Sequence, residues 1–198
     1  MFPKIHDGVR RVMEYPARAV VAVGLTPNML TIIGFVLTLI PAYFLFIGSD
    51  RWGAVWILIA SVFDMLDGAV ARISGAGTKF GAFLDSTMDR YSEIIIFLGV
   101  LGWQMQHLHT SNFRPDVFIT LVALVGSFMV SYTRARAEGL GIECKVGLFG
   151  RPERIILLVL GLLAHQLFWT LVILAVVTHI TTFQRVMHVY RSPQGQSR

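Results

Sequence analysis

The sequence predicts an all-α integral membrane protein. It has six transmembrane helices and an N-terminal interfacial amphipathic helix, in one domain spanning residues 1–198. Three observations carry this reading. Of the 198 residues, 55% are hydrophobic and only 15% are charged, which is too apolar for an ordinary soluble domain of this size. Apolar stretches of about 20 residues recur, the length needed to cross a bilayer core. Lysine and arginine gather at alternate ends of those stretches, as cytoplasmic loops do.

Each element has a local reason. The segment 1–22 holds Lys4, Arg10, Arg11 and Arg18 among Ile5, Val9, Val12, Met13 and Tyr15, so residues 4–22 form an interfacial helix rather than a signal peptide. Thr26 and Pro27 are an N-cap and a first-turn proline. The first span runs from Asn28 to about Ile47, with Pro41 as the place for a kink. The second runs from about Trp52 to Ile73. A glycine-rich loop, Ser74 to Thr78, leads to a third from Lys79 to Gln106, packed antiparallel beside the second. His107 to Asp116 is polar. The fourth span covers Val117 to about Ala137. A loop from Gly139 to Gly150 precedes a fifth from Pro152 to near His165, and a sixth covers Phe168 to about Val189. The tail, 192–198, reads as disordered.

Charge sets orientation. With the N-terminus inside, 15 of the 17 Lys and Arg fall at cytoplasmic ends, leaving Arg51 and Arg114 outside. Both termini are then cytoplasmic, in the plasma membrane. The net charge of +5 comes from those loops, so no nucleic-acid partner is expected. A single cysteine, Cys144, excludes an internal disulfide. His107, His109, His165 and His179 show no metal-like grouping.

Two acidic motifs break the apolar pattern. DMLDGAVAR places Asp64, Asp67, Gly68 and Ala71 on one helical face, and GAFLDSTMDR places Gly81, Asp85 and Asp89 on another. Four carboxylates in a partly dry site cannot all stay ionised without counter-charge. One way to supply it is ion pairing with Arg72, Lys79 and Arg90. Four aspartates on two matched faces favour hard divalent cations instead, Mg²⁺ or Mn²⁺, with two ions able to bridge a phosphate.

The 26 residues from Asp64 to Asp89 read D-x2-D-G-x2-A-R-x8-G-x3-D-x3-D. This resembles, at every position, the signature of the CDP-alcohol phosphotransferases, and the six-span layout resembles theirs too. The resemblance implies transfer of a phosphatidyl or similar group from a CDP-linked lipid to an alcohol, with release of CMP. It implies Asp64, Asp67, Asp85 and Asp89 as metal ligands and Asp89 as general base. It also implies Gly68, Arg72 and Thr78 on the cytidine diphosphate, and Asn28, Met29, Leu30 and Thr31 closing over the nucleotide. A homodimer is expected on the same ground.

The second half bears on the acceptor. SYTRARAE, RPER and QRVMHV carry Ser131, Arg134, Arg151, Arg154 and Arg185 at three cytoplasmic helix ends. Arginine's planar fork suits a phosphate. These segments resemble those of the actinobacterial phosphatidylinositol phosphate synthases and related archaeal enzymes, where they supply an inositol-phosphate site. Arg134 stands where the bacterial enzymes carry lysine, which keeps charge but alters geometry. The resemblance implies CDP-diacylglycerol as donor and inositol 1-phosphate as acceptor. Glycerol 3-phosphate also carries a phosphate and is the alternative acceptor. A cation transporter using the aspartates is the alternative of another class, and predicts polar groups across the whole bilayer.

Overall fold

The computed structural model describes residues 3–106 and 114–192, with side chains from Met13 onward in the first helix. The predicted polar loop therefore lies mostly outside the described residues, as does the tail beyond Ser192. Eight helices follow in order: α1 (Pro3–Ala22), α2 (Pro27–Leu37), α3 (Leu39–Phe46), α4 (Asp50–Ser74), α5 (Lys79–Gln106), α6 (Pro115–Gly139), α7 (Arg151–Leu163) and α8 (Leu167–Arg191). Among the described residues the protein is all-helical.

Among the described residues four helical stretches are long and apolar enough to cross a membrane: Pro27–Phe46, Asp50–Ser74, Pro115–Gly139 and Leu167–Arg191. The other two predicted spans differ for distinct reasons. Helix α5 has 28 residues, but Asp85, Asp89, Arg90 and Glu93 interrupt its apolar run. Helix α7 has 13 residues, about 20 Å of helix at 1.5 Å per residue.

The first predicted span is two helices. Thr26 caps α2, its hydroxyl accepting from the Met29 N–H at 3.3 Å. The break falls at Thr38 rather than at Pro41 itself. Pro41 has no N–H to donate to Leu37, so the ladder fails one turn before it. The Thr38 hydroxyl bonds back to the Gly34 carbonyl at 3.0 Å and to Ser92 of α5 at 3.2 Å, which holds the break in place.

Among the described residues, the two largest of three apolar clusters organise the bundle. The larger joins Leu45, Ile57, Phe97, Ala123, Leu162 and Leu174 from α3 through α8. The smaller seats Ala17 of α1 against Leu30 of α2 and Leu66, Ala69 and Val70 of α4. Lipid supplies no hydrophobic drive between helices, so close approach of small residues matters. Gly99 of α5 shows this: a β-carbon there would overlap the backbone of Ala42.

One expectation fails. Helices α4 and α5, joined by the short loop, do not pack along each other. Helices α2 and α3 pack against both, and α7 packs on α4. The acidic faces of α4 and α5 therefore border a gap rather than a seam. Adjacent carboxylates repel at close range, and the gap leaves room for cation and ligand.

Candidate active site

At the α2 side of the gap, Asp67 is 5% exposed. Its Oδ2 accepts from the Thr31 hydroxyl at 2.7 Å. Thr31, expected at the nucleotide, gives its hydroxyl to this carboxylate. Asp67 and Asp85 border a cavity of about 200 Å³, together with Asn28, Thr31, Gly68, Thr78 and Gly81. Gly81 is needed for this space: a β-carbon would stand 2.9 Å from Asn28 Oδ1 and 3.2 Å from Thr78 Oγ1. Thr78 caps α5, its hydroxyl accepting from the Gly81 N–H at 2.9 Å.

Three expected nucleotide residues do not border this cavity. Leu30 is buried in the smaller apolar cluster. Met29 is half exposed in the first turn of α2. Arg72 borders a separate hollow with Glu14, Ala69 and Ile73, one turn beyond Gly68 on α4.

At the α7 side, Arg151 joins two aspartates from different helices. Its Nη2 lies 2.7 Å from Asp64 Oδ2 and its Nη1 lies 2.7 Å from Asp89 Oδ1. Ion pairs with Arg72, Lys79 and Arg90, the alternative that the sequence disfavours, are absent among the described residues; Arg90 donates to the Ser86 carbonyl of its own helix. Asp67 and Asp85 have no ion-pair partner among the described residues.

As they stand, no three acidic, histidine or cysteine side chains among the described residues form a ready metal cage. The donor set still suits a hard divalent ion. The Arg151 guanidinium supplies the counter-charge to Asp64 and Asp89, the part that a bound cation would play there. Asp67 and Asp85 add two carboxylates that face a cavity with no basic residue in its lining.

All five residues expected at the acceptor phosphate border one cavity of about 150 Å³: Ser131, Arg134, Arg151, Arg154 and Arg185, with Asp89 in the same wall. Distinct contacts hold each arginine. Arg134 pairs with Glu138 at 2.8 Å, four residues along the same helix. Arg185 is buried and donates to the carbonyls of Val146 and Val130. Arg154 is 2% exposed, with both Nε and Nη2 at 2.8 Å from Glu93. The loop before α7 is tied to α8 through Thr181 and Gln184, which accept from the N–H groups of Phe149 and Leu148 at 3.2 Å. Cys144, within that loop, is fully buried against Ala137 and Ile142.

Glu93 was missed in the sequence. The signal was present, since Gly81, Asp85, Asp89 and Glu93 continue one stripe at intervals of four on α5.

Comparison with known proteins agrees with this geometry. The CDP-alcohol phosphatidyltransferase profile matches residues 24–183. The phosphatidylinositol phosphate synthase of Mycobacterium tuberculosis is 40% identical over 201 residues, covering 92% of this chain and 88% of that protein. The archaetidylinositol phosphate synthase of Pyrococcus horikoshii is 37% identical over 188 residues, covering 94% of this chain and 95% of that protein. A crystal structure of M. tuberculosis phosphatidylinositol phosphate synthase with CDP-DAG bound has a TM-score of 0.87 at 38% identity, over 95% of this chain and 98% of that one. Another, in complex with manganese and citrate, has a TM-score of 0.86 at 39% identity, over 94% of this chain and 92% of that one. With the acidic motif, the fold and the paired cavities in agreement, the chain belongs to the CDP-alcohol phosphatidyltransferase family and is an enzyme of that class.

Proposed function

We propose that this enzyme transfers the phosphatidyl group of CDP-diacylglycerol to a hydroxyl of inositol 1-phosphate, giving phosphatidylinositol phosphate and CMP. One observation carries the acceptor choice. Ser131, Arg134, Arg151, Arg154 and Arg185 come from three separate segments, yet border one cavity beside Asp89. The relatives support it: a bacterial and an archaeal protein with different lipid names share inositol phosphate in theirs.

The donor's cytidine diphosphate takes the cavity bordered by Asn28, Gly68 and Thr78, with Arg72 one turn along α4. Leu30 anchors the first turn of α2 beside it in the apolar cluster, Met29 is exposed on that turn, and Thr31 fixes Asp67. When bound, one or two Mg²⁺ or Mn²⁺ ions held by Asp64, Asp67, Asp85 and Asp89 would supply Lewis-acid stabilisation of phosphate charge. The acceptor's phosphate takes the arginine cavity, which puts its hydroxyl next to Asp89. Asp89 accepts the hydroxyl proton, and that oxygen bonds to the β-phosphorus of the CDP-lipid. The bond from that phosphorus to the bridging oxygen breaks, and CMP leaves with the electron pair. Arg151 borders the acceptor cavity while holding Asp89. A phosphate that draws its guanidinium therefore frees Asp89 to act as base.

Six crossings, cytoplasmic termini, a plasma-membrane location and a homodimer complete the proposal. Supporting the crossings and the orientation are the loop charges and the position of every acidic and basic site residue at the same end of the bundle; the homodimer rests on the family resemblance. The test is CMP release by purified protein with CDP-diacylglycerol and Mg²⁺, offered inositol 1-phosphate or glycerol 3-phosphate. Turnover with the first alone is expected. Turnover with glycerol 3-phosphate alone contradicts the acceptor. Cation flux in liposomes without CDP-lipid, and no CMP release, contradicts the reaction.

A further inference from the structure

Glu93 borders the acceptor cavity and belongs to neither the aspartate signature nor the arginine segments. Both its oxygens accept from Arg154, at 2.8 Å each, and its side chain keeps 16% exposure against 2% for Arg154. The fork of Arg154 is thereby occupied. What Arg154 has left is Nη1, buried without a hydrogen-bond partner, and a 3.4 Å contact from Nη2 to Ser131.

Beside Asp89, which serves as base, a second carboxylate in the wall does nothing to attract a phosphate, because like charges repel across a few ångströms. An ionised carboxylate has about four lone-pair sites, and a bidentate arginine fills about two. The remaining sites of Glu93 are hydrogen-bond acceptors in need of donors. A fully ionised phosphate has none; a polyol has one on every carbon. Glu93 also borders a deeper cavity of about 40 Å³, space for water but not for a sugar ring. A ligand hydroxyl therefore reaches Glu93 from the acceptor side, one helical turn from Asp89.

We propose that Glu93 is the hydroxyl-recognition residue of the acceptor site: its carboxylate, oriented by Arg154, accepts hydrogen bonds from ring hydroxyls of a phosphorylated polyol. This rests on the acceptor reading above, and adds to it the group that distinguishes a polyol phosphate from phosphate alone.

The test uses full-length protein with CDP-diacylglycerol and Mg²⁺. Wild type is first assayed with inositol 1-phosphate and its monodeoxy analogues, then both wild type and Glu93→Gln are assayed with inorganic phosphate as inhibitor. At least one deoxy analogue loses about ten- to hundredfold in kcat/KM on wild type, the worth of a charge-assisted hydrogen bond. Glu93→Gln raises the KM for inositol 1-phosphate by about tenfold and abolishes the deoxy penalty. Inhibition by inorganic phosphate stays equal or strengthens, since a like charge is gone, and the KM for CDP-diacylglycerol is unchanged. Equal weakening of phosphate and inositol phosphate overturns the proposal, because Glu93 then acts only by holding Arg154. Deoxy analogues that match the parent on wild type overturn it as well. Should Glu93→Gln not fold, Glu93→Asp keeps the charge and retracts it by one methylene. It is expected to raise the KM for inositol 1-phosphate with phosphate inhibition intact, and a parallel change in both overturns the proposal. Failure of wild type to use inositol 1-phosphate at all sinks the acceptor reading itself, in the first assay, before any variant is compared.

Discussion

Arg151 and Arg154 stand three residues apart and do different work. Arg151 spans Asp64 and Asp89 with its two terminal nitrogens, 2.7 Å each. A lysine ammonium is a single point and cannot hold that bridge. Arg151→Lys is therefore expected to lower kcat/KM for the acceptor by about tenfold or more, the worth of one charge-assisted bond. Wild-type kinetics in that variant would remove Arg151 from the reaction. Arg154 is buried on Glu93, so Arg154→Ala leaves a carboxylate stranded. A broken buried pair costs about 3–5 kcal/mol. Thermal unfolding should show a clear fall in Tm, and the KM for inositol phosphate should rise more than that for CDP-lipid. An unshifted Tm would mean that Glu93 finds water on its own. The sequence showed both arginines as phosphate candidates. It could not show that one faces aspartates and the other a glutamate, because those partners lie 87 and 61 residues away in sequence.

The elements were legible wherever a local signal exists. The third span was expected at Lys79 to Gln106, and α5 has those bounds. Thr26 and Pro27 open α2 as N-cap and first-turn proline. The helix break near Pro41 was legible as a kink, but its place at Thr38 depends on a bond to Ser92 of another helix. The separation of α4 from α5 was not legible, because nothing in either helix says that α2 and α3 will pack against both. Two glycines test that packing. Gly99→Val would drive a side chain into the Ala42 backbone, and overpacking of this kind costs about 1–3 kcal/mol. A Tm equal to wild type would contradict the close approach of α3 and α5. Gly81→Ala intrudes on Asn28 and Thr78 in the donor cavity. It should raise the KM for CDP-diacylglycerol and leave that for inositol phosphate unchanged; the reverse pattern would exchange the two cavities.

At the scale of the whole molecule, the four aspartates and five acceptor residues sit at one end of the bundle, where most of the basic loops also lie. That end is the cytoplasmic one if the charge asymmetry sets orientation. In a Cys144→Ala background, a cysteine at Leu148 should react with an impermeant thiol reagent only after the membrane is opened. One at Gln166 should react from outside in intact cells. The opposite pattern would invert the topology. Composition and loop charge made the membrane class legible, and the acidic signature made the chemistry legible. Neither could show that the donor and acceptor cavities lie on two sides of one carboxylate gap, since that follows from how all eight helices pack. The central claim is that Asp89, facing the acceptor cavity and held by Arg151, takes the proton from the acceptor hydroxyl. Asp89→Asn keeps the shape of the side chain and removes its basicity. CDP-diacylglycerol binding and CMP release should be measured on the same purified sample. The account predicts binding close to wild type, with CMP release lower by about 10²–10⁴-fold, the usual worth of general-base catalysis. CMP release at the wild-type rate would contradict it.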